Sequence, residues 1–134
     1  MAKEVELASY MYDHPKVQDV LLKRLKGRAP FTLNVLVDAE MFASRSTRRQ
    51  KPRLTALHAA GAHVYLCKGS GTMGAYHLKA MVIDRRLLYT GTANLTEKSM
   101  ENEELCFKLE GPVVQEVVDR LAAHRRRASV WSAQ

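Results

Sequence analysis

Tyr76-His77-Leu78-Lys79-Ala80-Met81-Val82-Ile83-Asp84, followed after Arg85 and Arg86 by Leu87-Leu88-Tyr89-Thr90-Gly91-Thr92-Ala93-Asn94, is the stretch that decides the fold. The first segment is apolar enough for a buried strand, and a strand sends alternate side chains to one face, so His77 and Lys79 point the same way. The second reads as the adjacent strand after a tight turn at Asp84, Arg85 and Arg86, and its period of two puts Thr92 and Asn94 on one face. An imidazole, an ammonium, a hydroxyl and a carboxamide can then converge on one small anion.

The spacing His77-x-Lys79, four residues to Asp84, then six to Gly91-Thr92-x-Asn94 resembles the signature of the phospholipase D superfamily, and every fixed position of that pattern is filled. Six residues at fixed spacing in a two-strand context are far more specific than a bare His-x-Lys. Asn102-Glu103-Glu104, ahead of the strand-like run Leu105 to Leu109, is similar to the Asn-x-Glu that commonly follows this motif.

The resemblance implies a phosphodiesterase in which His77 attacks phosphorus and holds the phosphoryl group covalently, splitting one difficult displacement into two easier ones. The imidazole needs its other nitrogen hydrogen-bonded, and Glu104, with Glu103 second, is the carboxylate expected to do so. Lys79, Asn94 and Thr92 would hold the non-bridging oxygens where charge builds up, work often given to a metal, so neither metal nor cofactor is expected. Asp84, at a turn beside Arg85, and Gly91 are expected to be structural. The superfamily draws its second, proton-donating histidine from a second motif. This chain has one copy, and His14, His58, His63 and His124 lack the Lys and Asn companions. The resemblance therefore implies a homodimer with a shared site, one His77 neutral and the other protonated.

Composition sets wider bounds. A chain of 134 residues, 46% hydrophobic and 26% charged, is expected to be one globular domain over residues 1–134. The resemblance implies one departure, since single-motif members usually begin with a further strand and helix before the segment that matches Glu4 to Tyr12, and this chain is expected to be a fragment, a shortened member, or a dimer that covers the gap. Cys67 and Cys106, both in apolar runs, suggest buried thiols rather than a disulfide framework or zinc site. The N-terminus has neither a signal-peptide pattern nor a membrane span, which makes the cytoplasm the default location. A net charge of +7 and a pI near 9.6 favour polyanionic partners. Arg45, Arg48 and Arg49 follow a strand end and are candidate phosphate-backbone contacts, with a solvated loop as the alternative. Arg120, Arg125, Arg126 and Arg127 read mainly as cations at a helix C-terminus.

Elsewhere, alternation predicts strands over Glu4 to Tyr12, Phe31 to Val37 and His63 to Cys67. Helices are predicted from Pro15 to Gly27, with Val17, Val20, Leu21 and Leu25 apolar, from Lys51 to Ala60, and from Pro112 onward with Val114, Val117, Val118 and Leu121 inward. Gly69 to Gly74 is a loop ahead of the motif, either a gate or slack. The expected fold is α/β, a mixed sheet flanked by helices on both faces. The expected function is a metal-independent endonuclease. The alternatives are a phospholipid or cardiolipin hydrolase and a non-catalytic scaffold of the same fold, which the complete motif disfavours.

Overall fold

A computed structural model describes residues 1–132 of the chain. Among the described residues seven strands form one mixed sheet in the order β6-β5-β4-β1-β2-β3-β7. Strands β1 (Glu4–Ser9), β2 (Thr32–Asp38) and β3 (His63–Cys67) run parallel, and β4 (Lys79–Ile83), β5 (Leu87–Gly91) and β6 (Cys106–Leu109) extend the sheet as an antiparallel meander. Crossover helices link the parallel strands: α1 (Pro15–Lys26) joins β1 to β2, and α2 (Ala39–Ala43) and α3 (Gln50–Ala59) lie between β2 and β3. Helix α4 (Pro112–Arg127) follows β6, and β7 (Ser129–Trp131) closes the far edge against β3.

Alternation along β1 explains why both faces are covered. Val5 and Leu7 join Leu33, Val35 and Val37 of β2 and pack with Leu21 of α1 and Leu54 and Leu57 of α3. Ala8 and Leu36 face the other way, into a second core with Val82, Leu88 and Val114, Val118 and Leu121 of α4. Glu6 lies on that second face and is 3% exposed. Its carboxylate is ion-paired with Arg125 of α4 and accepts from the Asn34 amide at 3.3 Å.

Local departures from the expected elements have identifiable causes. β1 ends at Ser9 rather than Tyr12, because a bend redirects the chain so that Tyr12 bridges to Leu95 and its N–H donates to Gln50 Oε1 at 2.6 Å. His14 caps α1, while Asp13 turns away to accept from Glu97 N at 2.9 Å. Val20 is 62% exposed, and Leu22 packs on the core beside Val17, Leu21 and Leu25. Cys67 is buried and its thiol is pushed up to about 12 by burial, but Cys106 is exposed, since β6 is an edge strand. The Gly69–Gly74 loop is closed by a Gly69 N–H to Gly74 O bond of 3.1 Å.

Candidate active site

The C-terminal ends of β1, β2, β3 and β5 and the N-terminal starts of β4 and β6 lie along one edge of the sheet, as the parallel and antiparallel registers require. Open α/β sheets place ligands beyond the C-terminal ends of their parallel strands. The first motif segment starts there and the second ends there. The motif strand is shorter than expected: β4 begins at Lys79, since its pairing with β1 stops at Ser9↔Lys79, so His77 and Leu78 precede it. Thr92 and Asn94 likewise lie past the end of β5.

His77 and Lys79 nevertheless meet. Lys79 Nζ is 2.9 Å from His77 Nδ1 and 3.0 Å from the His77 carbonyl oxygen, and the Tyr10 ring lies 4.6 Å, centroid to centroid, from the imidazole. Burial holds the Lys79 ammonium below the usual lysine range, a shift that the Glu104 carboxylate opposes. An ammonium has no lone pair to offer, so His77 Nδ1 accepts from it and the ring proton belongs on Nε2.

Glu104 takes a different place from the one expected of it. It accepts from the Thr92 hydroxyl and from the Asn102 amide, the latter at 3.3 Å, and among the described residues no carboxylate bonds to His77. Thr92 in turn accepts from Leu105 N at 3.1 Å, which fixes the chain just after Glu104. Lys79, Asn94, Glu103 and Glu104 line one cleft of about 590 Å3, whose remaining wall is largely apolar, with Met81, Leu95, Met100 and Leu105. Asn94 Oδ1 is buried there without a hydrogen-bond partner, and a 180° turn of the amide would present Nδ2 instead.

The structural positions also have clear geometry. Asp84 and Arg85 have φ of 51° and 58°, and Arg86 N donates to Ile83 O at 3.0 Å, the pattern of a primed hairpin turn. Asp84 Oδ1 accepts from Lys3 N and Glu4 N at 2.7 and 2.9 Å, which ties this turn to the start of β1 and holds its carboxyl below the usual carboxylate range. At Gly91 a Cβ would sit 1.9 Å from Leu105 O. Only glycine lets β6 approach and bring Glu104 to the cleft.

Arg45, Arg48 and Arg49 are exposed and line neither cleft described here; Arg49 pairs with Glu97 at 3.2 Å, three residues after Asn94. Pattern reading passed over Asp38. Buried at the end of β2, it caps α2 through Met41 N at 3.0 Å and accepts from Tyr76 N at 2.7 Å, fixing the residue before His77. A carboxylate closing a hydrophobic strand ahead of a helix is the signal that could have found it.

Residues 2–127 match the family model described as "Cardiolipin synthase, PLD-like domain". Among solved structures, the phospholipase D family member Nuc from Salmonella typhimurium is similar with a TM-score of 0.83 at 13% identity, over 98% of this chain and 84% of that one. NucT from Helicobacter pylori gives 0.76 at 16% identity, over 97% and 84%. Phosphatidylserine synthase from Haemophilus influenzae Rd KW20 gives 0.66 at 15% identity, over 96% of this chain and 34% of that one. No curated protein sequence matches.

Proposed function

We propose, from the premise that the chain belongs to the phospholipase D-like domain family, that it is a metal-independent phosphodiesterase cleaving nucleic acid in a homodimer. The observation that carries this reading is the convergence at one sheet edge of His77 and Lys79, 2.9 Å apart, with Asn94 and Glu104 on the same cleft as Lys79.

A phosphodiester anion draws Lys79 off His77 Nδ1 and onto a non-bridging oxygen. The ring proton exchanges through water to Nδ1, which leaves the Nε2 lone pair free. Nε2 attacks phosphorus, a P–N bond forms, and the P–O bond to the leaving group breaks as the partner's His77, protonated, gives its proton to that oxygen. Water then attacks phosphorus, the same histidine takes its proton, and the P–N bond breaks. Lys79 and the Asn94 amide stabilise the negative charge of each five-coordinate state. Glu104, bound to Thr92, holds the far wall and opposes the effect of burial on the Lys79 ammonium.

One chain holds one His77, so pairing completes the site. An apolar surface supports it: Leu105, Phe107 and Met100 are 65%, 53% and 55% exposed on and beside the edge strand β6, continuous with the cleft. A second copy seated there would also cover much of the apolar lining.

That lining favours a second reading, a phosphatidyl substrate whose acyl groups occupy the apolar wall. The +7 charge supports the nucleic-acid reading over it, because a strand offers many phosphates and a lipid one or two. Cleavage of a labelled oligonucleotide in excess EDTA, beside folded His77→Ala, tests the assignment. Cutting by the parent alone is expected; cardiolipin hydrolysis without oligonucleotide cleavage would transfer the assignment to the lipid.

A further inference from the structure

A second cleft opens on the other side of the motif, against α4. It has a volume of about 720 Å3, within the range of about 300–1,000 Å3 typical of ligand sites. Its charged lining is entirely basic: Lys68 from the end of β3, His77, and Arg120, His124 and Arg127 from α4. Among the described residues no carboxylate lines it. Lys68, Arg120 and Arg127 are exposed and make no ion pair among the described residues, whereas Arg125, between them in sequence, is consumed by the buried Glu6. Burial holds His124 below the usual histidine range, and the neighbouring cations Arg127 and Arg120 on the same helix add to the shift.

The position of this cleft gives it meaning. His77 lines the basic cleft and Lys79 the apolar one, so the two sites meet at the reacting pair. A group bound at His77 therefore has a neighbour on the α4 side that sits among uncompensated cations. The geometry points to the α4 cleft as a subsite for a phosphate flanking the scissile one in a nucleic-acid strand, held by Arg120, Arg127 and Lys68. The proposal rests on the phosphodiesterase reading for the location of the scissile group. It deepens that reading by giving the substrate a second phosphate and one side of the site a fixed direction. Two unneutralised guanidiniums facing a cavity suit phosphate, which they can bind with paired hydrogen bonds.

The test is binding of a fluorescent single-stranded oligonucleotide across a salt series, with every protein carrying His77→Asn so that the strand stays intact. Arg120→Ala/Arg127→Ala is compared with Lys23→Ala/Arg126→Ala, which removes equal charge outside both clefts. With about 0.7 counterions released per single-strand phosphate neutralised, loss of the one flanking contact in the first pair is expected to flatten the log–log salt slope by about 0.7 and weaken binding roughly 5-fold at 0.1 M salt. The second pair is expected to leave both nearly unchanged, and a helix-end role for the arginines would not move the slope. Equal losses in both pairs, no loss in the first, or binding to cardiolipin vesicles with none to the oligonucleotide would each overturn the proposal. Cleavage by the His77 protein is scored separately. Cutting with an unchanged slope sinks the subsite alone, and an Arg-dependent slope without cutting sinks the nuclease reading alone.

Discussion

Lys79 Nζ stands 2.9 Å from His77 Nδ1, so the group proposed to bind phosphate guards the group proposed to attack it. While the ammonium donates to Nδ1, the ring proton rests on Nε2 and the nucleophilic lone pair is hidden. In the proposed reaction the site arms itself only when an anion competes for Lys79, which would couple substrate binding to nucleophile activation.

This coupling sets an expectation for pH. The Lys79 ammonium is held below the usual lysine range by burial, so the phosphate-binding form is present below that depressed value and is lost as pH rises through it. KM for bis(p-nitrophenyl) phosphate should rise at alkaline pH earlier than an ordinary lysine would cause. In Lys79→Arg, always charged, that rise in KM should disappear, although kcat falls on the order of tenfold from the altered fork geometry. Identical KM–pH profiles in the two proteins would remove Lys79 from the binding step.

Thr92 connects two parts of the site, donating to Glu104 and accepting from Leu105 N at 3.1 Å. Thr92→Val keeps the shape and breaks both bonds. Activity should fall roughly 10- to 100-fold, as for loss of a residue orienting a charged group, and Thr92→Ser should restore most of it. If Thr92→Val is fully active, the hydroxyl is a loop residue and Glu104 positions itself.

Much of this architecture was legible because the chain's periods are honest where strands have neighbours on both sides. His63 to Cys67 falls where alternation puts it, and the family resemblance located the motif. The motif strand read too long at its front because Tyr76 and Leu78 continue the apolar run. Tyr76 spends that character in the α4-side core while its N–H goes to Asp38, not to a neighbouring strand. The five residues of α2 and the three of β7 are too short to show a period, and each exists through tertiary contact. Cys106 lies in an apolar run whose exposure depends on β6 being an edge, which no local pattern states. The basic cleft was half visible. Arg120, His124 and Arg127 stand at i, i+4 and i+7, one helical face, but only the fold turns that face toward His77.

Gly91 gives a stability prediction. Its would-be Cβ meets backbone of Leu105, just before β6, at 1.9 Å and of Cys106 at 2.9 Å, and backbone cannot rotate away as a side chain can. Gly91→Ala should cost about 3 kcal/mol, visible as a Tm lower by roughly 10 °C, and should lower activity by displacing Glu104. A Tm within a degree or two of the parent would mean that β6 is free to shift.

The Glu6–Arg125 pair answers to a different rule. Glu6 is 3% exposed at its side chain and Arg125 22%, so removing the arginine strands a carboxylate in the core. Arg125→Ala should destabilise by about 2–3 kcal/mol, less than a fully buried pair because the arginine is partly open to solvent. Glu6→Gln placed on that background should recover part of the loss by denaturant melting. An additive double variant would show that the two side chains do not share their energy.

Asp84 makes the last prediction, in acid. Its carboxylate accepts from Lys3 N and Glu4 N, and these backbone bonds hold its folded pKa below the usual range. For a depressed carboxyl the stabilisation is complete above the unfolded value and vanishes as pH falls through the folded one. Asp84→Asn keeps the shape and one acceptor oxygen but not the charge. It should therefore melt below the parent at pH 7, and the two curves should draw together as pH falls below the ordinary carboxylate range. Because the group sits near solvent, the gap at pH 7 should be small and should shrink in high salt only as far as the Lys3 ammonium and the N-terminus contribute, the two backbone bonds being insensitive to screening. A constant gap across pH would assign the effect to the turn, where Asp84 and Arg85 hold positive φ, and would leave the carboxylate charge without a part in it.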